Sequence, residues 1–154
     1  MPIVAISQSK FSMWGEVTQY EALVVTNDEQ YPDVSWFLVT SIDHSVSGEK
    51  RIYISLQKYI SGKPVSICED KDPIYAKVNG QAIRFSPFCR DYESNGEKYK
   101  ETYITPLPSN GDKYLYNSFK KSSEHIIFEL WGIRTPISSV GFSKAWKDFG
   151  GNAL

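Results

Sequence analysis

Apolar residues in this chain recur mostly at every second position, in short runs bounded by turn-forming residues. That period belongs to half-buried strands. The first run predicts a strand over Tyr20–Thr26 and the second a strand over Val34–Ile42. In the second, Val34, Trp36, Leu38 and Thr40 share one face, and Phe37 and Val39 lie on the other. Apolar bulk on both faces predicts a central strand covered on both sides. Arg51–Lys58 alternates most cleanly, with Ile52, Ile54 and Leu56 dry and Arg51, Tyr53, Ser55 and Gln57 wet. A turn at Ser61-Gly62-Lys63-Pro64 and a short strand over Val65–Cys68 follow. Ile74–Val78 and Gln81–Phe85 flank Asn79-Gly80, the pair a type I′ hairpin prefers because both central residues need positive φ. Pro87 is expected to change the chain's direction.

Asp91–Lys98 is polar, and Tyr99–Thr105 alternates again until Pro106 and Pro108 end it. Leu115 and Phe119, four apart, predict a short helix over Asp112–Lys121 capped by Asn110 or Asp112, with a strand through Tyr114–Tyr116 as the competing reading. Glu124–Trp131 predicts a strand, and Ile133–Ser138, which holds Pro136, a turn with short extended pieces. Phe142, Ala145, Trp146 and Phe149 fall at helical spacing, so a helix near 141–149 is expected, capped by Ser138 or Ser139 and stopped by Gly150-Gly151. A helix that short needs a docking contact, and Trp146 is the expected anchor on the sheet.

The fold class that follows is mainly β: a β-sandwich or strongly curved antiparallel sheet with one or two short helices. The 154 residues suit a single β-rich domain spanning 1–154, with no linker or internal repeat. An aromatic content of 14% strengthens the β reading.

Charge narrows the function. Seventeen basic residues against eighteen acidic ones leave a net of -1, so no global positive field holds a nucleic acid. Lys98, Lys100, Lys113, Lys120 and Lys121 are interleaved with Tyr99, Tyr103, Tyr114 and Tyr116, but Glu97, Glu101, Asp112 and Glu124 interrupt them. A solvated face is the expected reading. No apolar run is long enough for a transmembrane segment. The opening residues lack a signal-peptide pattern, so the chain as displayed reads as cytoplasmic, or as periplasmic or secreted if a signal peptide has been removed.

Candidate chemistry is sparse. P-loop, dinucleotide and nucleophile-elbow patterns are missing from the sequence. His44 and His125 fit no metal-ligand spacing, and a nucleophilic pairing of Cys89 with either has no support in spacing. Glu69-Asp70-Lys71-Asp72 resembles the opening of a calcium loop, but Pro73 cuts it short. The sequence thus nominates no catalytic, cofactor-binding or metal residue, and no cofactor is expected. Cys68 and Cys89 are open to one bridge or to two thiols; if they lie on neighbouring strands of an exported protein, they should pair. The aromatic excess at Trp14, Tyr20, Tyr53, Tyr59, Tyr75, Tyr92 and Tyr99 points to another protein as partner. A non-enzymatic protein-binding or accessory module is the leading expectation, and a small hydrolase with a site assembled only in three dimensions is the alternative.

One family resemblance bears on this. Val78-Asn79-Gly80-Gln81 followed by Phe85-Ser86-Pro87-Phe88-Cys89 resembles a stretch of the invasion-associated locus B family. Tyr116-Asn117-Ser118-Phe119-Lys120-Lys121 before the strand at Ile126–Leu130, and Val140-Gly141-Phe142-Ser143-Lys144-Ala145-Trp146, extend the likeness across roughly 77–149. The resemblance implies a small β-rich, secreted or periplasmic bacterial protein associated with host-cell invasion and without known catalysis. Members of that family carry a signal peptide and more cysteines, and neither is found in this sequence.

Overall fold

A computed structural model describes residues 10–154, and for Lys10 the backbone alone. The alternation seen in the sequence becomes a single antiparallel sheet. Its strands are β1 (Lys10–Phe11), β2 (Glu21–Asn27), β3 (Val34–His44), β4 (Lys50–Ile60), β5 (Lys63–Val65), β6 (Ile74–Val78), β7 (Gln81–Ser94), β8 (Glu97–Pro106), β9 (His125–Leu130) and β10 (Ile133–Ser138). They pair in the order β1-β2-β3-β4-β8-β7-β6-β9-β10, with β5 folded back on β4. The sheet curls until β10 lies beside β2. There the Glu29 N–H donates to the Gly132 carbonyl at 2.9 Å, and the Trp14 N–H donates to the Val140 carbonyl at 3.0 Å. The result is a nearly closed barrel with, among the described residues, two short helices, α1 (Asn110–Lys121) and α2 (Phe142–Phe149).

The dry face fills the interior. Trp36, Leu38, Ile54, Leu56, Phe85, Ile104 and Phe128 are buried there. The helices close one end, that of Tyr20, His44, Lys50 and Pro106, adding Leu115, Phe119, Phe142 and Ala145 to the same core. Trp14 sets its ring edge-on to Phe142 at 5.1 Å and to Phe119 at 5.6 Å, and its indole N–H donates to the Ser138 carbonyl at 2.7 Å.

The Asn79-Gly80 hairpin forms as expected, with φ of 51° and 82°. Several local expectations need correction. Pro87 does not turn the chain, for β7 runs straight through it to Ser94. β6 begins at Ile74, opposite Phe85, so Pro87 lies beyond β6 and its missing N–H costs no ladder bond on that side. The polar stretch after it is a second hairpin, turned by Asn95-Gly96. The end of the Val65–Cys68 run is irregular, because β5 stops at Val65. Ile133–Ser138 is a full strand, paired residue by residue with β9; Pro136 is tolerated because β10 is the terminal strand. α1 takes the helical reading, but Ser109 is its N-cap and makes no side-chain cap bond. α2 starts from Gly141, not from a serine cap; the Ser138 hydroxyl instead accepts from the Val140 N–H.

The anchor of α2 also differs. Phe142 and Ala145 are buried, whereas Trp146 is half-buried and meets α1 rather than the sheet core, with its ring 4.9 Å from Tyr116. Phe142 takes the interior position, between Trp14 and Phe119, while Trp146 borders a small cavity shared with Tyr116 and Ile52. The Lys50 ammonium then caps the outer side of that indole, 4.0 Å from its centroid, and donates to the Trp146 carbonyl at 2.6 Å.

Candidate functional site: an aromatic groove on the outer face

Odd positions of β3, β4 and β8 and even positions of β7 point away from the core. Register brings Ser55 opposite Tyr103, and Tyr103 opposite Phe88. A row of rings results. Phe88 stacks on Tyr103 at 5.4 Å and meets Tyr53 edge-on at 6.2 Å. The Arg90 guanidinium lies over Tyr103, 4.6 Å from its centroid. This row floors an open groove of about 950 Å³, walled by Tyr20, Asp43, His44, Arg51 and Phe149 among others.

The groove's walls are held by local bonds. Arg51 donates to the Thr105 hydroxyl at 3.3 Å and to the Pro106 carbonyl, and pairs with Glu49 at 3.6 Å. The His44 ring lies against Phe149 at 4.8 Å, tilted by 47°, and its Nε2 lies 3.0 Å from the Gly151 carbonyl. The C-terminal residues continue the strap. Lys50 N–H donates to the Asn152 side chain at 3.0 Å, and Ala153 N–H to the Gly48 carbonyl at 2.8 Å.

Burial pushes the Tyr53 and Tyr103 phenols up, and nearby carboxylates add to it, Asp43 and Glu49 at Tyr53 and Glu101 at Tyr103. Arg51 and Arg90 pull the other way. Both phenols therefore stay protonated at neutral pH. Further along the same face, Glu101 is only 6 % exposed and accepts from Gln57 Nε2 at 2.9 Å. Desolvation raises its carboxyl, against the pull of Gln57 and Arg90. Burial likewise raises the Tyr92 phenol to about 12.

The residues weighed from sequence are scattered. His44 lines the groove; His125 sits at the start of β9, 4.0 Å from the Glu124 carboxylate. Cys89 is joined to Cys68 in a disulfide and offers no thiolate. Asp70 approaches both sulfurs, but bonded cysteines cannot serve as thiolate ligands, so the trio makes no metal site. The Glu69 carboxylate accepts from the Lys71 N–H at 3.1 Å, as expected of a solvated turn. The lysine–tyrosine set divides: Lys98 and Tyr99 lie near the far hairpin, about 25 Å along β8 from the α1 end. Of the aromatic excess, Trp14 is core, Tyr75 is exposed, and the others named are half-buried.

A change of direction expected at Pro87 hides Phe88 and Arg90 from the sequence. The signal was present: Phe85, Pro87 and Cys89 alternate with Ser86, Phe88, Arg90 and Tyr92 up to Asn95-Gly96. No helix among the described residues is long and apolar enough to cross a membrane. No family model, curated protein or solved structure matches this chain.

Proposed function

We propose that the protein is a non-enzymatic binding module whose outer-face groove takes an exposed segment of another protein. The observation that carries this reading is the row Tyr53, Phe88, Tyr103 and Arg90 on the groove floor. Tyr and Arg supply large contact area at low conformational cost and dominate binding energy at protein interfaces. Rigid strands hold this row, so little ordering entropy is lost on binding. The disulfide supports work in an oxidising compartment, periplasmic or extracellular. Such a compartment agrees with the likeness of residues 77–149 to the invasion-associated locus B family, and hence with an accessory role at a bacterium–host contact.

Peptide display against the immobilised protein tests the groove. Selected peptides should bind Phe88→Ser at least about tenfold more weakly, since one anchor lost at an interface centre is worth roughly 2 kcal/mol. Phe88 is partly exposed, so the variant should keep its fold. Peptides that bind both proteins equally would remove the groove from consideration.

A further inference from the structure

The end of the barrel opposite the helices holds a feature that the groove does not explain. Among the described residues, four non-glycine residues have positive φ: Ser61, Asn79, Asn95 and Trp131. The first three are small or amide side chains in tight turns. Trp131, at φ 55°, is not, since a bulky side chain in that region is strained and a glycine would relieve it. The strain holds a large ring in the open, for Trp131 is 45 % exposed. Strain of this sort gathers at ligand sites.

The surroundings fix that ring. Trp131 and Gly132 turn β9 into β10, and any side chain at Gly132 would collide with the Asp28 carboxylate at 2.0 Å. Asp28 in turn accepts the Gln30 and Tyr31 N–H groups at 2.9 and 3.2 Å and the Trp36 indole N–H at 3.1 Å. The Trp36 and Trp131 rings stand 5.9 Å apart, tilted by 35°. Together with Tyr31, Glu29, Glu69 and Lys58 they line a cavity of about 570 Å³, a size that suits a small ligand. One wall is the segment bearing Ile67 and Glu69, tied to β8 through the Thr102 hydroxyl and to β7 through the Cys68–Cys89 bond.

Charge and ring chemistry select the ligand. Asp28, Glu29 and Glu69 outnumber Lys58 among the lining residues, so an anion is disfavoured. The Lys58 ammonium already lies 5.6 Å from the Trp36 centroid, so one ring of the pair attracts a cation within the protein itself. Trp is the best aromatic partner for a cation, and rings beside carboxylates suit an ammonium whose methyl groups leave it no hydrogen bonds to lose. We propose that this cavity binds a trimethylammonium group, with the strained Trp131 as its principal platform.

Titration of the disulfide-intact protein with choline, trimethyl-lysine and the neutral dimethylbutanol isostere of choline, followed by tryptophan fluorescence, tests this. Choline or trimethyl-lysine should bind in the millimolar range or better, and the preferred one reports whether the group comes from a choline or from a methylated amine. The isostere should bind several-fold more weakly, as loss of a cation–π contact requires. Trp131→Gly should weaken binding at least about tenfold while the fold is kept, because glycine suits the turn. Glu69→Gln should weaken it less, and added salt should weaken it in the wild type. No saturable binding of either cation, equal binding of the isostere, or unchanged binding by Trp131→Gly would overturn the proposal. The groove variant Phe88→Ser should leave this titration unchanged, which keeps the two sites separable.

Discussion

The two ends of this barrel are closed in different ways. At the helix end, α1, α2 and Trp14 form a continuous aromatic plug, in which Phe119 stacks on Phe142 at 5.0 Å. The Cys68–Cys89 bond pins the irregular segment that walls the other end, where a cavity bordered by Trp36 and Trp131 is left open. A plug of packed rings gains its stability in the folded state, from area removed from water and from dispersion. A covalent tie acts chiefly on the unfolded chain, by closing a loop before folding begins. The packed end should therefore be sensitive to side-chain truncation. The tied end should tolerate local change and respond to redox conditions.

The largest effect should come from Phe142→Ala. Its side chain is 1 % exposed and meets Trp14, Tyr116, Phe119 and Trp146. Truncation should cost about 3–5 kcal/mol in urea unfolding, much of a small domain's total. Trp146→Ala should cost less, about 1–2 kcal/mol, because that side chain is only partly buried whereas Phe142 is fully so. If Trp146 proved the costlier of the two, the assignment of Phe142 as anchor would be wrong.

Next comes the far end. Reduction of the disulfide, or Cys68→Ser with Cys89→Ser, should cost about 3 kcal/mol by the chain-entropy account of a loop this long. The cysteines are 21 positions apart. A thiol titration of the unreduced folded protein should detect no free cysteine. The reduced protein should keep its far-UV circular dichroism, since the helix-end core does not depend on this bond. Coincident loss of both ends on reduction would dissolve the contrast drawn between them.

The helix end was the more legible of the two from sequence. The spacing of Phe142, Ala145, Trp146 and Phe149 marked the amphipathic face of α2, and Leu115 with Phe119 marked α1. The spacing cannot rank residues within a face, because depth depends on what the neighbouring element already fills. Phe142 and Trp146 were therefore exchanged in importance. The strands were legible wherever one face was dry. They were misread at Pro87 and Pro136, where tolerance depends on an edge that only sheet order reveals. The groove was illegible, because its floor takes one or two residues from each of three strands whose order, β4-β8-β7, does not follow the chain. Trp131 carried a signal in its partner, Gly132, but a two-residue turn with positive φ at its first central position normally places Asn, Asp or Gly there, not Trp.

Lys50 links the two helices' packing to the start of β4, and it offers a smaller test. Its ammonium donates to the Trp146 carbonyl and sits on the indole face, and burial holds its pKa below the ordinary lysine value. Lys50→Met keeps the apolar stem and removes the charge. Loss of one charge-assisted bond and one cation–π contact, partly offset by the relieved desolvation, should cost about 1 kcal/mol in urea unfolding. A stabilised Lys50→Met would show that desolvation outweighs both contacts.

The smallest effect lies between the ends, on the outer face, and is a slope rather than an offset. Desolvation raises the Glu101 carboxyl above the ordinary value of 4.5, against the Gln57 bond and the Arg90 charge. In the window just above 4.5 the folded protein holds a proton that the unfolded chain has released. The stability this proton contributes is full below 4.5 and is lost as pH rises through the folded value. Asp91 has the opposite sign. The Lys100 bond at 2.8 Å lowers its carboxyl below 3.8, so its contribution is present above that value and is lost as pH falls through the folded one. The two windows do not overlap. Urea unfolding of wild type and Glu101→Gln from about pH 4 to about pH 7 should therefore show the variant gaining on wild type as pH rises, with the change confined to the region above 4.5. Asp91→Asn should run parallel to wild type over that range and diverge only in stronger acid. A constant offset for Glu101→Gln would mean that Arg90 and Gln57 cancel the desolvation, and the outer face would then be a fully paired network rather than one holding a carboxylate short of water.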